Sequence, residues 1–336
     1  MTTHIEVRPG EGSEGPRRLF ADPGLPDRIF RGVARSGGGF VLAVMLLVGG
    51  FLLYRAWQAL SRAGWSFLTT ETWEPDAGRF GIAAVLVGTV LIALVAILVA
   101  VPLAVGGALY ISEYAPPRIR QTLIGVVDLM AAVPSVVYGL WGLFFFQNQV
   151  LGTARWISTY FGWIPFFAVD GADPRDPLAN ATVYASSTLI AGIVVALMVA
   201  PIVCSVMREV FSQAPVGERE GSYALGATRW GMIRSVVLPF GKGGMIGGTM
   251  LGLGRALGET IGVYLVISPI FDIQWHVLQS GTSSISSLIA LRYGEASEFG
   301  MSALMAAGLA LFLMTLVVNF AASSIVARSR SGAASE

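Results

Sequence analysis

The sequence predicts an all-α polytopic membrane protein with six transmembrane helices. Three observations carry that prediction: the composition, the lengths of the apolar stretches, and the side on which the basic residues fall. Of 336 residues, 54% are hydrophobic and 13% charged, and mean hydropathy is +0.68. Soluble domains carry about 25% charged residues. A bilayer core takes about 20 apolar residues per helix, and six stretches reach that length: Gly38–Leu60, Gly81–Ile111, Gln121–Val150, Tyr184–Met207, Gly244–Ile270 and Met301–Ala327. The second and third exceed one crossing, so tilt, or kinks at Pro102 and Pro134, are expected.

Residues 1–36 are polar and rich in Pro and Gly, unlike the short charged start of a signal peptide, and are expected to be a partly disordered cytoplasmic tail. The last part of the tail, Asp27 to Arg35, is expected to form a short helix at the membrane surface. Residues 37–328 then form the membrane domain, and 329–336 a short cytoplasmic tail. Orientation follows from the basic residues. Arg17, Arg18, Arg28, Arg31, Arg35, Arg118, Arg120, Arg208, Arg219, Arg229, Arg234, Lys242, Arg328 and Arg330 share one side; only Arg62, Arg79, Arg155, Arg175 and Arg292 fall on the other. Basic residues mark the cytoplasmic side, which places both termini there.

The outside loops, Ser61–Phe80 and Gly152–Val183, carry Trp65, Trp73, Trp156 and Trp163 among acids. Tryptophans at this level form an interfacial belt, and the second loop is long enough to offer a docking surface. Net charge is +1, which gives no field to recruit nucleic acid. Cys204 is the only cysteine, so no intrachain disulfide can form, and its place in APIVC suits packing. His4 and His276 have no ligand-like company, so neither a metal site nor a cofactor is expected.

Between the fourth and fifth stretches, residues 212–240 do not read as a plain connector. Pro215 fits the first turn of a helix, with Glu218 and Glu220 near its positive end. Gly226 breaks that helix, Thr228 caps a second, and Pro239 closes it. Tyr223, Ala224, Leu225 and Trp230 cluster at the bend, an apolar tip shaped for a groove on another protein.

The spacing here is specific: Glu220, five residues, Gly226, nine residues, Val236, one residue, Leu238-Pro239. It resembles the EAA loop of ABC-importer permeases, with Gly221-Ser222 for the two alanines and Val236 for isoleucine. "AVPSVVYGLWGLFF" (Ala132–Phe145), "SFLTTETWEP" (Ser66–Pro75) and "GLGRALGET" (Gly252–Thr260) resemble the PstC-type permease subunits of phosphate ABC importers. The resemblance implies a type I importer permease fold (MetI-like) with cytoplasmic coupling helices, in which Glu220, Ala224, Leu225, Gly226 and Thr228 engage an ATPase. It implies four partners besides the lipid bilayer: a PstA-type second permease, a cytoplasmic PstB-type ATPase dimer, an extracytoplasmic PstS-type phosphate-binding protein, and inorganic phosphate. No Gly-x4-Gly-Lys-Ser/Thr loop occurs, so any energy from ATP must arrive through such a partner rather than from an enzyme site of this chain.

Within GLGRALGET, Arg255 and Glu259 lie inside an apolar stretch, where each charge costs about 2.5–3.5 kcal/mol at a helix centre. On a continuous helix they share a face and can pair. A guanidinium fork suits a tetrahedral oxyanion. The carboxylate can neutralise Arg255 in the empty state and accept a hydrogen bond from a protonated phosphate, which sulfate does not offer. Ser135 and Tyr138, after the Pro134 kink, can line the same path with hydroxyls. Glycine rows at 244/248/252 and 254/258/262 allow either close packing or an open path. Asp128 reads as a paired or hydrated acid. Alternatives are a PstA-like subunit, or a permease for sulfate or molybdate. An ion-coupled secondary transporter would leave the hairpin unexplained, and a membrane enzyme lacks a catalytic constellation.

Overall fold

The structure, a computed structural model, describes residues 24–176 and 180–331. Residues 1–23 of the expected disordered tail and 332–336 of the expected C-terminal tail lie outside the described residues, while 25–36 and 329–331 are helical. Contacts divide the chain at Gly50 into two units, Met1–Gly50 and Phe51–Glu336.

Helix α1 runs Leu25–Ala63 without a break. The separate surface helix expected at Asp27–Arg35 is instead the first turns of α1, begun by Pro26 and the acid Asp27, which pairs with Arg31 at 3.3 Å. In the first unit the described side chains are exposed almost throughout.

The second unit continues with a short turn of helix, α2 (Ser66–Thr69), and an antiparallel pair, β1 (Trp73–Glu74) with β2 (Arg79–Phe80). Gly78, at φ +74°, makes the reversal between them. Helix α3 (Ala83–Leu109) passes through Pro102 and closes in a π turn at Tyr110–Tyr114, giving one 32-residue span. Its Ala96, Ala100, Ala104 and Ala108 are almost fully buried, one face of small side chains that brings α7 (Thr188–Ser212) close. At Gly192 of α7 a Cβ would lie 2.4 Å from Val95 Cγ1, so only glycine fits.

The third apolar stretch is not one helix. Helix α4 (Pro117–Ala132) stops at Val133, and α5 (Ser135–Trp141) continues through a π turn into α6 (Gln147–Phe161), bent 87° from α4. Pro134 disfavours the helical region for the residue before it and supplies no N–H, so the helix ends there. The expected span Gln121–Val150 thus becomes two pieces, and helix persists to Phe161 through the first part of the expected loop.

After α7, helices α8 (Val216–Ala224) and α9 (Arg229–Met232) form the hairpin, and α10 (Leu238–Gly258) follows. Pro239 does not close the second hairpin helix as expected: Arg229–Gly258 is one continuous 30-residue span. A π turn at Ile233–Val237, closed by Leu238 N–H to Ile233 O, shifts the ladder just ahead of the proline. The fifth stretch also ends early. Beyond Gly258 come a short α11 (Ile261–Val266), a return segment, α12 (Ile285–Arg292), and α13 (Glu298–Ser331). Among the described residues five helices are long and apolar enough to cross a membrane, or six with the bent pair counted as one.

Candidate functional site

Two chain breaks, at Pro134 and at Glu259, face each other. Glycine makes this possible: a Cβ at Gly139 of α5 would lie 3.1 Å from the Cα of Gly262 on α11, so the two short helices touch backbone to backbone. Each break is closed by a side chain. The amide missing at Pro134 leaves the Met130 carbonyl short of its helical partner, and the Tyr138 hydroxyl donates to it at 3.0 Å. At the other break Glu259 is extended (φ −66°, ψ 125°), and its Oε1 accepts the Gly262 N–H at 3.1 Å. The carboxylate sits where the first turn of α11 presents free N–H groups.

This corrects the helical pairing expected of Arg255 and Glu259. The helix ends between them, and among the described residues they form no ion pair. Arg255 stays in the last turn of α10, exposed, where a cation suits the negative helix end. Glu259 Oε1 and the Ser135 carbonyl oxygen lie 3.4 and 3.5 Å from the position a Cβ would take on Gly262. Glu259, Ser135 and Tyr138 therefore gather around the facing breaks, with Tyr138 already engaged by backbone, while Arg255 lies one helical turn before Glu259 at the end of α10.

The first glycine row is a packing seam, and of the second only Gly258 is open. A Cβ at Gly244 would lie 2.4 Å from Val210 Cγ2, and at Gly252 2.6 Å from Val203 Cγ2, so the 244/248/252 row seats α10 on α7. Gly258 has open space around it. Asp128 accepts from Ser205 Oγ at 3.1 Å, a paired acid, and Cys204 is buried.

Residues outside the expected set complete the site. Ser286 Oγ donates to the Glu259 carbonyl at 2.7 Å and holds the break from α12. It belongs to a buried hydroxyl run, Thr282, Ser283, Ser284, Ser286 and Ser287. Ser284 and Ser287 form a capping box for α12, and Ile285 N–H reaches Thr89 Oγ1 at 2.9 Å. The signal was the run GTSSISS in an apolar setting.

The hairpin is built by local caps. Gly226 adopts φ +84°. Ala227 N–H bonds Ser222 O at 3.1 Å and Gly226 N–H bonds Tyr223 O at 2.9 Å, the paired bonds of a Schellman motif. Gly221 does not interrupt α8; its carbonyl takes the Leu225 N–H at 3.1 Å. Thr228 Oγ1 accepts the Gly231 N–H at 3.1 Å and starts α9. Glu220, Ala224, Leu225, Gly226 and Thr228 are all exposed, and Leu225 is 91% so. An apolar tip at that exposure is a surface built to be covered.

A long-helix membrane unit with interrupted helices and an exposed hairpin at EAA spacing defines the class: an ABC-importer permease with a MetI-like fold. The chain belongs to the family described as "Binding-protein-dependent transport system inner membrane component", whose model matches residues 100–331. It is 37% identical over 294 residues to the phosphate transport system permease protein PstC of Pasteurella multocida, covering 86% of this chain and 88% of that one. It is 36% identical over 304 residues to PstC 2 of Mycobacterium tuberculosis, covering 89% and 91%. In fold it matches a chain of the bacterial alginate ABC transporter with a TM-score of 0.56 at 17% identity, covering 90% of this chain and 98% of that one. It is thus a multi-pass inner-membrane protein of a family without its own catalytic site.

Proposed function

We propose that this chain is the PstC-type permease subunit of an ATP-driven importer of inorganic phosphate, forming half of the translocation path beside a second permease. The observation that carries the reading is the exposed, glycine-bent hairpin at EAA spacing, on a chain similar to PstC permeases over most of its length. Both termini lie in the cytoplasm, residues 37–328 form the permease domain, and the hairpin docks through Glu220, Ala224, Leu225, Gly226 and Thr228 into a groove on the ATPase dimer. A phosphate-binding protein delivers substrate to the opposite face.

At the facing breaks Arg255 meets the phosphate. Its fork gives two parallel charge-assisted hydrogen bonds to a tetrahedral oxyanion. Glu259 spends Oε1 on α11 and keeps Oε2 to accept a hydrogen bond from a protonated phosphate oxygen. Ser135 and Tyr138 supply the polar lining. The test is reconstitution: vesicles holding the chain with its second permease, ATPase and binding protein should accumulate labelled phosphate only with ATP inside the compartment that faces the hairpin. Accumulation without the ATPase would refute the reading.

A further inference from the structure

The π turn Tyr110–Tyr114 at the end of span Ala83–Tyr114 is joined to four other elements. Glu113, its side chain only 4% exposed, pairs with Arg219 of α8 at 3.2 Å. The same guanidinium donates through Nη2 to the carbonyl of Phe211, at the last turn of α7, at 2.6 Å. That carbonyl, at a helix end, also takes the Ala214 N–H at 3.2 Å, so the guanidinium is its second partner. The Tyr114 ring lies beneath the Arg229 guanidinium at 5.3 Å, which ties α9 to the same turn. On the turn's other side Arg120 Nη2 donates to the Ser112 carbonyl at 2.8 Å, so α4 is fastened there too. The π turn thus joins both hairpin helices, the ends of two spans, and the helix that leads to the Pro134 break.

Burial decides which tie matters. Exposed ion pairs contribute little because solvent screens them. A nearly buried carboxylate cannot lose its partner without stranding a desolvated charge, so Glu113 and Arg219 must move together. We propose that the Glu113–Arg219 pair is the rigid link that carries hairpin motion into span Ala83–Tyr114 and, through Arg120, into α4 and the break that bears Tyr138. Glu113 and Arg219 are positioning residues; neither touches phosphate. This inference rests on the reading that the hairpin docks on an ATPase.

The test uses the assembled transporter in vesicles and reads three quantities: ATPase retained, ATP hydrolysed, and phosphate moved per ATP. The double neutral variant Glu113→Gln with Arg219→Gln leaves no buried charge unpaired, so folding is the least disturbed of the possible changes. It should retain the ATPase and hydrolyse ATP within about twofold of the parent, while phosphate moved per ATP falls about tenfold. Arg229→Leu, which removes only the exposed ring contact, should lower that ratio by about twofold. A parental ratio in the double variant would overturn the proposal, since a merely structural pair is restored by neutralising both members. Loss of the ATPase from the double variant would overturn it as well, showing that the pair serves docking and not transmission. If the unaltered chain retains no ATPase, the functional reading fails first and takes this link with it.

Discussion

The hairpin bend at Gly226 and the chain break at Glu259 both end a helix beside a glycine, and they are finished in opposite ways. At Gly226 every partner is within a few residues: Ser222, Tyr223 and Thr228 close the turn. At Glu259 one partner is local, Gly262, but the carbonyl is held by Ser286, 27 residues away. Across from it Pro134 is patched by Tyr138. The bend is closed by its own neighbours and presents itself outward. The second exists only because α5, α10, α11 and α12 meet. A docking element has to hold its shape before a partner arrives, whereas a site on a transport path can be assembled from elements that shift against one another.

Predictions on the two regions separate them. The largest effect is expected at the bend. Gly226→Asp forces a side chain into φ +84° at an exposed tip, and phosphate uptake should be abolished while the chain still inserts at parental abundance, as checked by membrane immunoblot. Uptake near the parental rate would remove the hairpin from the coupling role. Next is overpacking: Gly252→Val would drive methyls into Val203 and Val199, and at about 1–3 kcal/mol should lower the yield of folded chain in a detergent melting assay.

Glu259→Gln sharpens the contrast. The amide oxygen can still accept the Gly262 N–H, so the melting temperature should hold while phosphate-over-sulfate discrimination falls in a competition uptake assay. Glu259→Ala loses the cap as well, so both should drop. Unchanged discrimination in the Gln variant would confine Glu259 to capping. The smallest effect belongs to Thr228→Ala, a local cap worth about 1 kcal/mol, visible as faster proteolysis at the exposed hairpin with the membrane spans intact.

What the sequence made legible follows the same division. Pro215, Gly226 and Thr228 act through neighbours three to five residues away, so their spacing was readable, and so were the apolar lengths of most spans. Pro239 misled because a π turn at Ile233–Val237 absorbs its missing N–H, and no spacing rule announces a π turn. Arg255 and Glu259 were rightly singled out as costly charges. Their pairing was misread because periodicity cannot show that the helix stops at Gly258, a stop set by the capping demand of α11 and by Ser286 from α12. Glu113 and Arg219 gave no sign of pairing, one an ordinary charge at a span end and the other in the hairpin, until the fold brings them to 3.2 Å.

The central claim is that Arg255 meets the anion and is not half of a structural salt bridge. Phosphate uptake by the reconstituted transporter carrying Arg255→Gln, Glu259→Gln, or both tests it most directly. With Arg255 and Glu259 unpaired and Glu259 committed to α11, uptake should nearly vanish with Arg255→Gln, and adding Glu259→Gln should not restore it. Recovery of parental uptake in the double variant would contradict the account.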